Sequence, residues 1–197
     1  MNFKAWFKSN SADRVLFPLR KELVELIEYD SSLLEVGCGT GDLLFQSAPK
    51  ISSGFGVDVD QRMIEHAESK RQKNNLNNLR FECIDALTMA PDSFDISTST
   101  LCLHELPEQQ ACALLKMMVD NSKMVLIADY TEARTTTGRL SIEFDEFLSG
   151  HYRNYKQYRR NGEIPSYADK IGALVHKEVP SVIDGISIWL ISNKVVT

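Results

Sequence analysis

Residues 33–44 read Leu-Leu-Glu-Val-Gly-Cys-Gly-Thr-Gly-Asp-Leu-Leu. A short apolar run ends in glycines at the alternate positions Gly37, Gly39 and Gly41. Residues without a Cβ let the main chain turn sharply and let a ligand approach the backbone. The segment that follows, Asp42 to Ala48, reads as a helix whose first free N–H groups would point at such a ligand. The order strand, glycine loop, helix imposes a βα unit. By itself it fits either a nucleotide site or a tight turn without a ligand. Two details narrow it. The spacing is GxGxG, whereas dinucleotide sites use GxGxxG, with the third glycine placed for helix packing. Glu35 also precedes the loop, where a carboxylate repels a phosphate and suits an ammonium group or a bridging water.

The rest of the chain repeats the unit. Helical spacing of Val15, Leu16, Leu19, Leu23, Leu26 and Ile27 predicts a helix ending near Tyr29 and starting near Pro18, where a proline is tolerated. Strands are expected at Gly54–Val59, Leu79–Ile84, Phe94–Thr100 and Lys123–Tyr130, with helices at Gln61–Lys73 and Pro107–Val119. Short apolar strands alternating with helices imply a parallel sheet. Asp184-Gly185 lies between the β-rich runs Val175–Val182 and Ile186–Val195, a hairpin signal. The expected fold is α/β, a Rossmann-like, doubly wound, mostly parallel seven-stranded sheet with a C-terminal antiparallel hairpin. It is expected to be one domain, residues 1–197, with a helical cover (1–30), a cofactor core (31–130), a helical substrate-side insertion (131–170) and the hairpin (171–197).

Composition excludes several classes. At 197 residues, 43% hydrophobic and 25% charged, the chain can bury a core. A pI near 5.4 argues against DNA as the main partner and weighs against RNA. Cys38, Cys83, Cys102 and Cys112 form no CxxC pair, so no metal site is expected, and such sparse cysteine fits a reducing compartment. The first residues lack a secretory apolar stretch and no run approaches the roughly 20 residues of a membrane span. A cytoplasmic protein is expected.

Four pieces in register carry a family resemblance. Glu35-Val36-Gly37-Cys38-Gly39-Thr40-Gly41 resembles the first motif of the class I S-adenosylmethionine-dependent methyltransferases. Gly56-Val57-Asp58-Val59-Asp60 resembles the second-strand motif, Cys83-Ile84-Asp85-Ala86 the third, and Phe94-Asp95-Ile96 through Leu103-His104-Glu105-Leu106-Pro107 the fourth. The chain most resembles the small-molecule group of the ubiquinone/menaquinone-biosynthesis type (methyltransferase type 11). The resemblance implies that Asp58 takes the ribose hydroxyls, that Asp85 accepts from the adenine amino group and that backbone oxygens near Ser99 and Thr100 meet the methionyl amine. It also places Glu35, Gly37, Cys38, Gly39, Gly41, Val59, Met63 and Ala86 at the cofactor. Taken alone, Asp58 would equally cap the next helix and Asp85 would equally be a turn residue.

The implied reaction is methyl transfer from S-adenosylmethionine to a small-molecule acceptor, leaving S-adenosylhomocysteine. The cofactor carries the hard chemistry, so alignment matters more than a catalytic triad. His104, after the fourth strand, is the candidate base, with packing at the start of the next helix as the alternative. Asp129 and Tyr130 end the fifth strand at the ligand edge, and Tyr130 is a second catalytic candidate. Tyr152, Tyr155 and Tyr158 would line one side of a helix, with Arg153, Lys156, Arg159 and Arg160 around them. They form either a substrate wall for an aromatic or anionic molecule or a packed face with solvated cations. Phe3, Trp6 and Phe7 would fold over the cofactor, cover core or meet a second copy in a homodimer. Competing readings are a non-catalytic S-adenosylmethionine-binding module, a dinucleotide oxidoreductase and an RNA methyltransferase.

Overall fold

The computed structural model describes the backbone of residues 3–194 and the side chains of residues 15–194. Seven strands form one sheet in the order β3-β2-β1-β4-β5-β7-β6. They are β1 (Ser32–Val36), β2 (Ser53–Asp58), β3 (Leu79–Cys83), β4 (Phe94–Thr100), β5 (Ser122–Tyr130), β6 (Ala173–Pro180) and β7 (Ile186–Asn193). The first five run parallel, and β7 inserts antiparallel between β5 and β6. Helices α1 (Phe3–Leu26), α2 (Asp42–Ser47), α3 (Gln61–Lys73) and α4 (Glu108–Asp120) belong to the βα units, and α5 (Thr136–Ser149), α6 (Tyr152–Arg160) and α7 (Glu163–Lys170) lie between β5 and β6. This is the Rossmann-like α/β architecture expected, with an antiparallel end.

A parallel sheet covered on both faces needs strands apolar on both sides. β5 meets that requirement with a buried run from Val125 to Tyr130. β4 meets it with small hydroxyl residues. Ser97, Thr98 and Ser99 are fully buried, and Ser99 Oγ donates to Val36 O at 2.9 Å. At the other end of the sheet, Ser32 N and Oγ each donate to Asp95 Oδ2 at 2.8 Å and set the β1–β4 register.

Three expectations need correction. The first helix does not start at Pro18 but runs through it. A proline removes one N–H from the ladder. The fully buried Leu19 and Leu23, with Ile27 beyond them, hold the helix to the sheet past it. Asp184-Gly185 is not a two-residue turn but the end of a five-residue connection between β6 and β7, Ser181 to Gly185. There Asp184 takes N–H bonds from Arg134 at 2.7 Å and Thr135 at 3.1 Å, so it anchors the link that follows β5. Helix α7 has no counterpart in the sequence reading, although Pro165 stands in its first turn, where proline is tolerated. Phe3, Trp6 and Phe7, and Val195 at the expected end of the last strand, lie outside the described side chains.

Candidate active site

Four strand ends meet at one cleft of about 390 Å³. It lies where the strand order reverses between β1 and β4, the position at which open α/β sheets bind ligands. Gly37 after β1, Asp58 at the end of β2 and Val59 after it, Asp85 and Ala86 after β3 and Thr100 at the end of β4 line it, so six of the candidate cofactor residues share one cleft. Six other expected residues are off the wall. Ser99 is buried in β4, Glu35 and Cys38 are buried under the loop, Gly39 and Gly41 shape the turn, and Met63 sits in the first turn of α3.

The glycine loop is internally satisfied. Gly37 N and Cys38 N both donate to Val57 O, at 2.9 and 3.0 Å, and Gly41 N donates to Cys38 O at 2.8 Å. Gly39 N donates to Asp58 Oδ2 at 2.8 Å. Phosphate cradles work by presenting unpaired N–H groups, and these four are committed. Gly39 has φ +52° and open space where a Cβ would stand, whereas a Cβ at Gly41 would fall 2.5 Å from the Phe81 ring.

Asp58 does not cap the next helix. Asp60 does so, accepting from Arg62 N at 2.9 Å. Asp58 Oδ1 instead accepts from Asp60 N at 2.9 Å, so both oxygens are oriented at the cleft floor with lone pairs to spare. Asp85 caps a single 3-10 turn through Leu87 N at 2.9 Å while standing exposed on the cleft wall.

The sequence reading missed part of the wall. Leu101 follows β4 with φ +50°, a strained conformation for a branched residue. Cys102 follows it, with its thiol pushed up to about 12 by burial and so un-ionised at neutral pH. Glu105, which the sequence leaves as either a solvated residue or an N-terminal helix charge, is half-buried on the wall, with Oε1 3.0 Å from His151 Nδ1 and its backbone oxygen accepting from Asn154 Nδ2 at 2.6 Å. No local sequence signal marks a contact spanning 49 residues. Among the described residues the wall therefore carries three carboxylates, Asp58, Asp85 and Glu105, and no Lys or Arg. Thr100 Oγ1 is buried there without a hydrogen-bond partner.

Glu35 is 4% exposed, with Oε2 unpartnered. Burial raises its carboxyl to about 8 against the pull of Arg20, so it is mostly protonated near neutrality. It lies in β1 just before the loop, and its side chain is enclosed rather than on the cleft wall.

His104 occupies a 3-10 turn, Leu103–Glu105, and is 1% exposed. Its Nδ1 is 2.5 Å from Asp129 Oδ1 and its Nε2 is 3.3 Å from Glu146 Oε1. Burial works against its charge, but the two carboxylates prevail and raise it to about 10. The ring packs against Tyr130, Tyr155 and Tyr158 at 4.5, 6.4 and 6.2 Å between centroids. Tyr130 is itself 6% exposed, its phenol pushed up by burial and by Glu146. Neither His104 nor Tyr130 lines the cleft.

Residues 27–161 match the model of a family described as methyltransferase domain. The chain belongs to that family. The matched stretch holds the glycine loop, Asp58, Asp85, His104 and α6. Among curated proteins, the chain is 33% identical over 88 residues to the mouse (Mus musculus) tRNA (uracil-5-)-methyltransferase homolog A, which covers 44% of this chain and 14% of that one. It is 27% identical over 124 residues to a ubiquinone biosynthesis O-methyltransferase of Neisseria meningitidis, 56% of this chain and 52% of that one. The chain thus spans about half or less of the length of these relatives. Among solved structures, it resembles the O-methyltransferase NcsB1 of neocarzinostatin biosynthesis, in complex with S-adenosylmethionine and 2-hydroxy-5-methyl naphthoic acid. The TM-score is 0.72 at 16% identity, over 97% of this chain and 57% of that one, which establishes the shared fold.

Proposed function

We propose that the cleft binds S-adenosylmethionine and that the protein transfers its methyl group to a small-molecule acceptor. One observation carries the reading: a cleft of about 390 Å³ at the sheet's switch point has, among the described residues, three carboxylates and no cation on its wall. That polarity suits a ligand bearing a sulfonium and an ammonium and disfavours a pyrophosphate. The committed loop amides point the same way and count against a dinucleotide. The volume falls within the usual range of about 300–1,000 Å³ for small-ligand sites. S-adenosylmethionine and its product are bound in structural neighbours of this fold.

Bound there, the cofactor supplies a methyl carbon on a sulfonium leaving group, which an acceptor lone pair displaces to leave S-adenosylhomocysteine. The chain's own residues hold and exclude. Asp58, fixed by Gly39 N and Asp60 N, presents lone pairs for vicinal hydroxyls. Asp85 on the wall would accept from the cofactor's amino group, and Val59, Leu87 and Leu114 supply apolar wall. His104 is already protonated at neutral pH and both its nitrogens face carboxylates, so it acts in this conformation as a strut behind Glu105.

The burial of Tyr155 and Tyr158 supports a small acceptor over base stacking on α6, which needs open ring faces. Four free thiols accord with the cytoplasm as the place of action. A thermal-shift titration tests the reading. S-adenosylhomocysteine is expected to raise Tm in a concentration-dependent way while NADH leaves it unchanged. Stabilisation by NADH alone refutes the proposal.

A further inference from the structure

The cleft wall follows the strand order β3-β2-β1-β4 along the edge of the sheet. Asp85 stands after β3, Asp58 at the end of β2, Gly37 after β1, and Leu101, Cys102, Glu105 and Leu106 after β4. Neighbouring strands lie about 4.8 Å apart, so roughly 14 Å of sheet edge separates the Asp85 end from the β4 end. With Asp85 at the amino group and Asp58 at the vicinal hydroxyls, the rest of the cofactor, sulfonium included, runs on towards β1 and β4. The wall after β4 closes directly on the glycine loop, since a Cβ at Gly37 would stand 3.2 Å from Cys102 Sγ. Glu105 therefore lines the end of the same cleft to which the sulfonium runs.

Two of the three carboxylates have partners in the nucleoside, and Glu105 is left over. Helix α6 holds it from behind: Oε1 faces His151 Nδ1 at 3.0 Å, and its backbone oxygen accepts from Asn154. Oε2 has no hydrogen-bond partner among the described residues. Burial raises the carboxyl above the ordinary range against the pull of His104 and His151, and Glu146 of α5 adds to the rise. A cation placed beside it favours the charged form that burial disfavours. Leu101, Leu106 and Leu114 give this end an apolar lining, with Gln110 as a neutral polar group. The cofactor brings one net positive charge, its sulfonium and ammonium against one carboxylate. Three carboxylates on the wall leave a second cation favoured and an anion repelled.

We propose that the Glu105 end of the cleft is the acceptor subsite and that it selects a small amine with an apolar body. The inference rests on the methyl-transfer reading above and names its acceptor class. Glu105 holds the ammonium by a charge-assisted bond, about twice as strong as a neutral one. For transfer, the ammonium gives one proton to Glu105. The freed nitrogen lone pair forms the N–C bond as the C–S bond breaks, and that electron pair stays on sulfur. A methylated ammonium and the neutral sulfide result, and Glu105 gives its proton to water.

Calorimetric titration of the full chain saturated with S-adenosylhomocysteine tests it. Benzylamine, phenethylamine and hexylamine are compared with benzyl alcohol, phenethyl alcohol and hexanol, and with benzoate. At least one amine is expected to bind roughly tenfold more tightly than its matched alcohol, with benzoate weaker than either. Glu105→Gln is expected to bring that amine down to the level of its alcohol, while S-adenosylhomocysteine binds as in the wild type. Absence of amine preference in all three wild-type pairs, preference for benzoate, or full amine affinity in Glu105→Gln overturns the subsite. Loss of S-adenosylhomocysteine binding in Glu105→Gln, with the wild type binding it, also overturns the subsite and makes Glu105 a cofactor contact. In each of these cases wild-type binding of S-adenosylhomocysteine leaves the methyl-transfer reading standing, whereas its absence in the wild type overturns both.

Discussion

Asp129 accepts four hydrogen bonds from one stretch of chain and its neighbour, and the shortest links it to His104. Oδ1 takes His104 Nδ1 at 2.5 Å and Tyr130 N at 2.7 Å, and Oδ2 takes the amides of Leu103 at 3.1 Å and His104 at 3.2 Å. Both side chains are buried, and Glu146 of α5 closes the other side of the ring. The pair therefore fixes the turn that carries Glu105 to the cleft and ties it to the end of β5 and to α5.

Replacing Asp129 leaves a buried imidazolium short of its main partner and removes the acceptor of three amides, those of Leu103, His104 and Tyr130. Breaking such a pair costs about 3–5 kcal/mol. Asp129→Ala is expected to lower the unfolding free energy by that amount in urea denaturation. A loss under about 1 kcal/mol, the size of an exposed pair, contradicts the role assigned to it.

Two buried groups bind protons more tightly in the folded chain than in the unfolded one. Burial raises Glu35 from 4.5 to about 8, and the stability its neutral form preserves is lost as pH rises through that range. Asp129 and Glu146 outweigh burial and raise His104 from 6.5 to about 10, so its contribution is complete below 6.5 and lost as pH rises through about 10. Where the folded state holds more protons, stability falls as pH rises. Melting temperature is expected to decline steadily from pH 6 to pH 9, with a shallower decline in His104→Gln. A rise over that interval in the wild type runs against the account.

Two glycines of one loop are expected to behave differently. Gly41→Ala adds a methyl 2.5 Å from the Phe81 ring at φ +76°, so strain and overlap combine, and a loss of more than about 2 kcal/mol is expected. Gly39→Ala places the methyl in open space at φ +52°, with only the backbone cost of about 1–2 kcal/mol. Chemical denaturation of the two variants makes the comparison, and equal losses contradict it.

Asp85→Ala separates two roles of one carboxylate. Loss of its bond to Leu87 N is expected to cost about 1 kcal/mol of stability. Loss of an acceptor for an amino group is expected to weaken S-adenosylhomocysteine binding about tenfold. Unchanged affinity with reduced stability makes Asp85 a turn residue only.

What the sequence disclosed and what it concealed follow from the range of the interactions. The glycine loop, Asp58, Asp85 and Thr100 stand at strand ends, and period and turn chemistry place strand ends directly. The continuation of α1 through Pro18 depends on the burial of Leu19, Leu23 and Ile27 against the sheet, which a local rule about proline does not see. Glu105 belongs to the cleft because α6, some fifty residues further on, turns His151 and Asn154 back to it. His104 reads as a base from its place after β4, yet Glu146, 42 positions later, closes its second nitrogen.

The central claim is that the acidic cleft holds S-adenosylmethionine through Asp58. Calorimetric titration with S-adenosylhomocysteine of the wild type and of Asp58→Ala tests it most directly. The account predicts micromolar binding at one site per chain and a loss of at least about tenfold in the variant, the size of a charged hydrogen-bond acceptor removed from a ligand. Absence of binding by a folded wild type, or an unchanged Kd in Asp58→Ala, contradicts it.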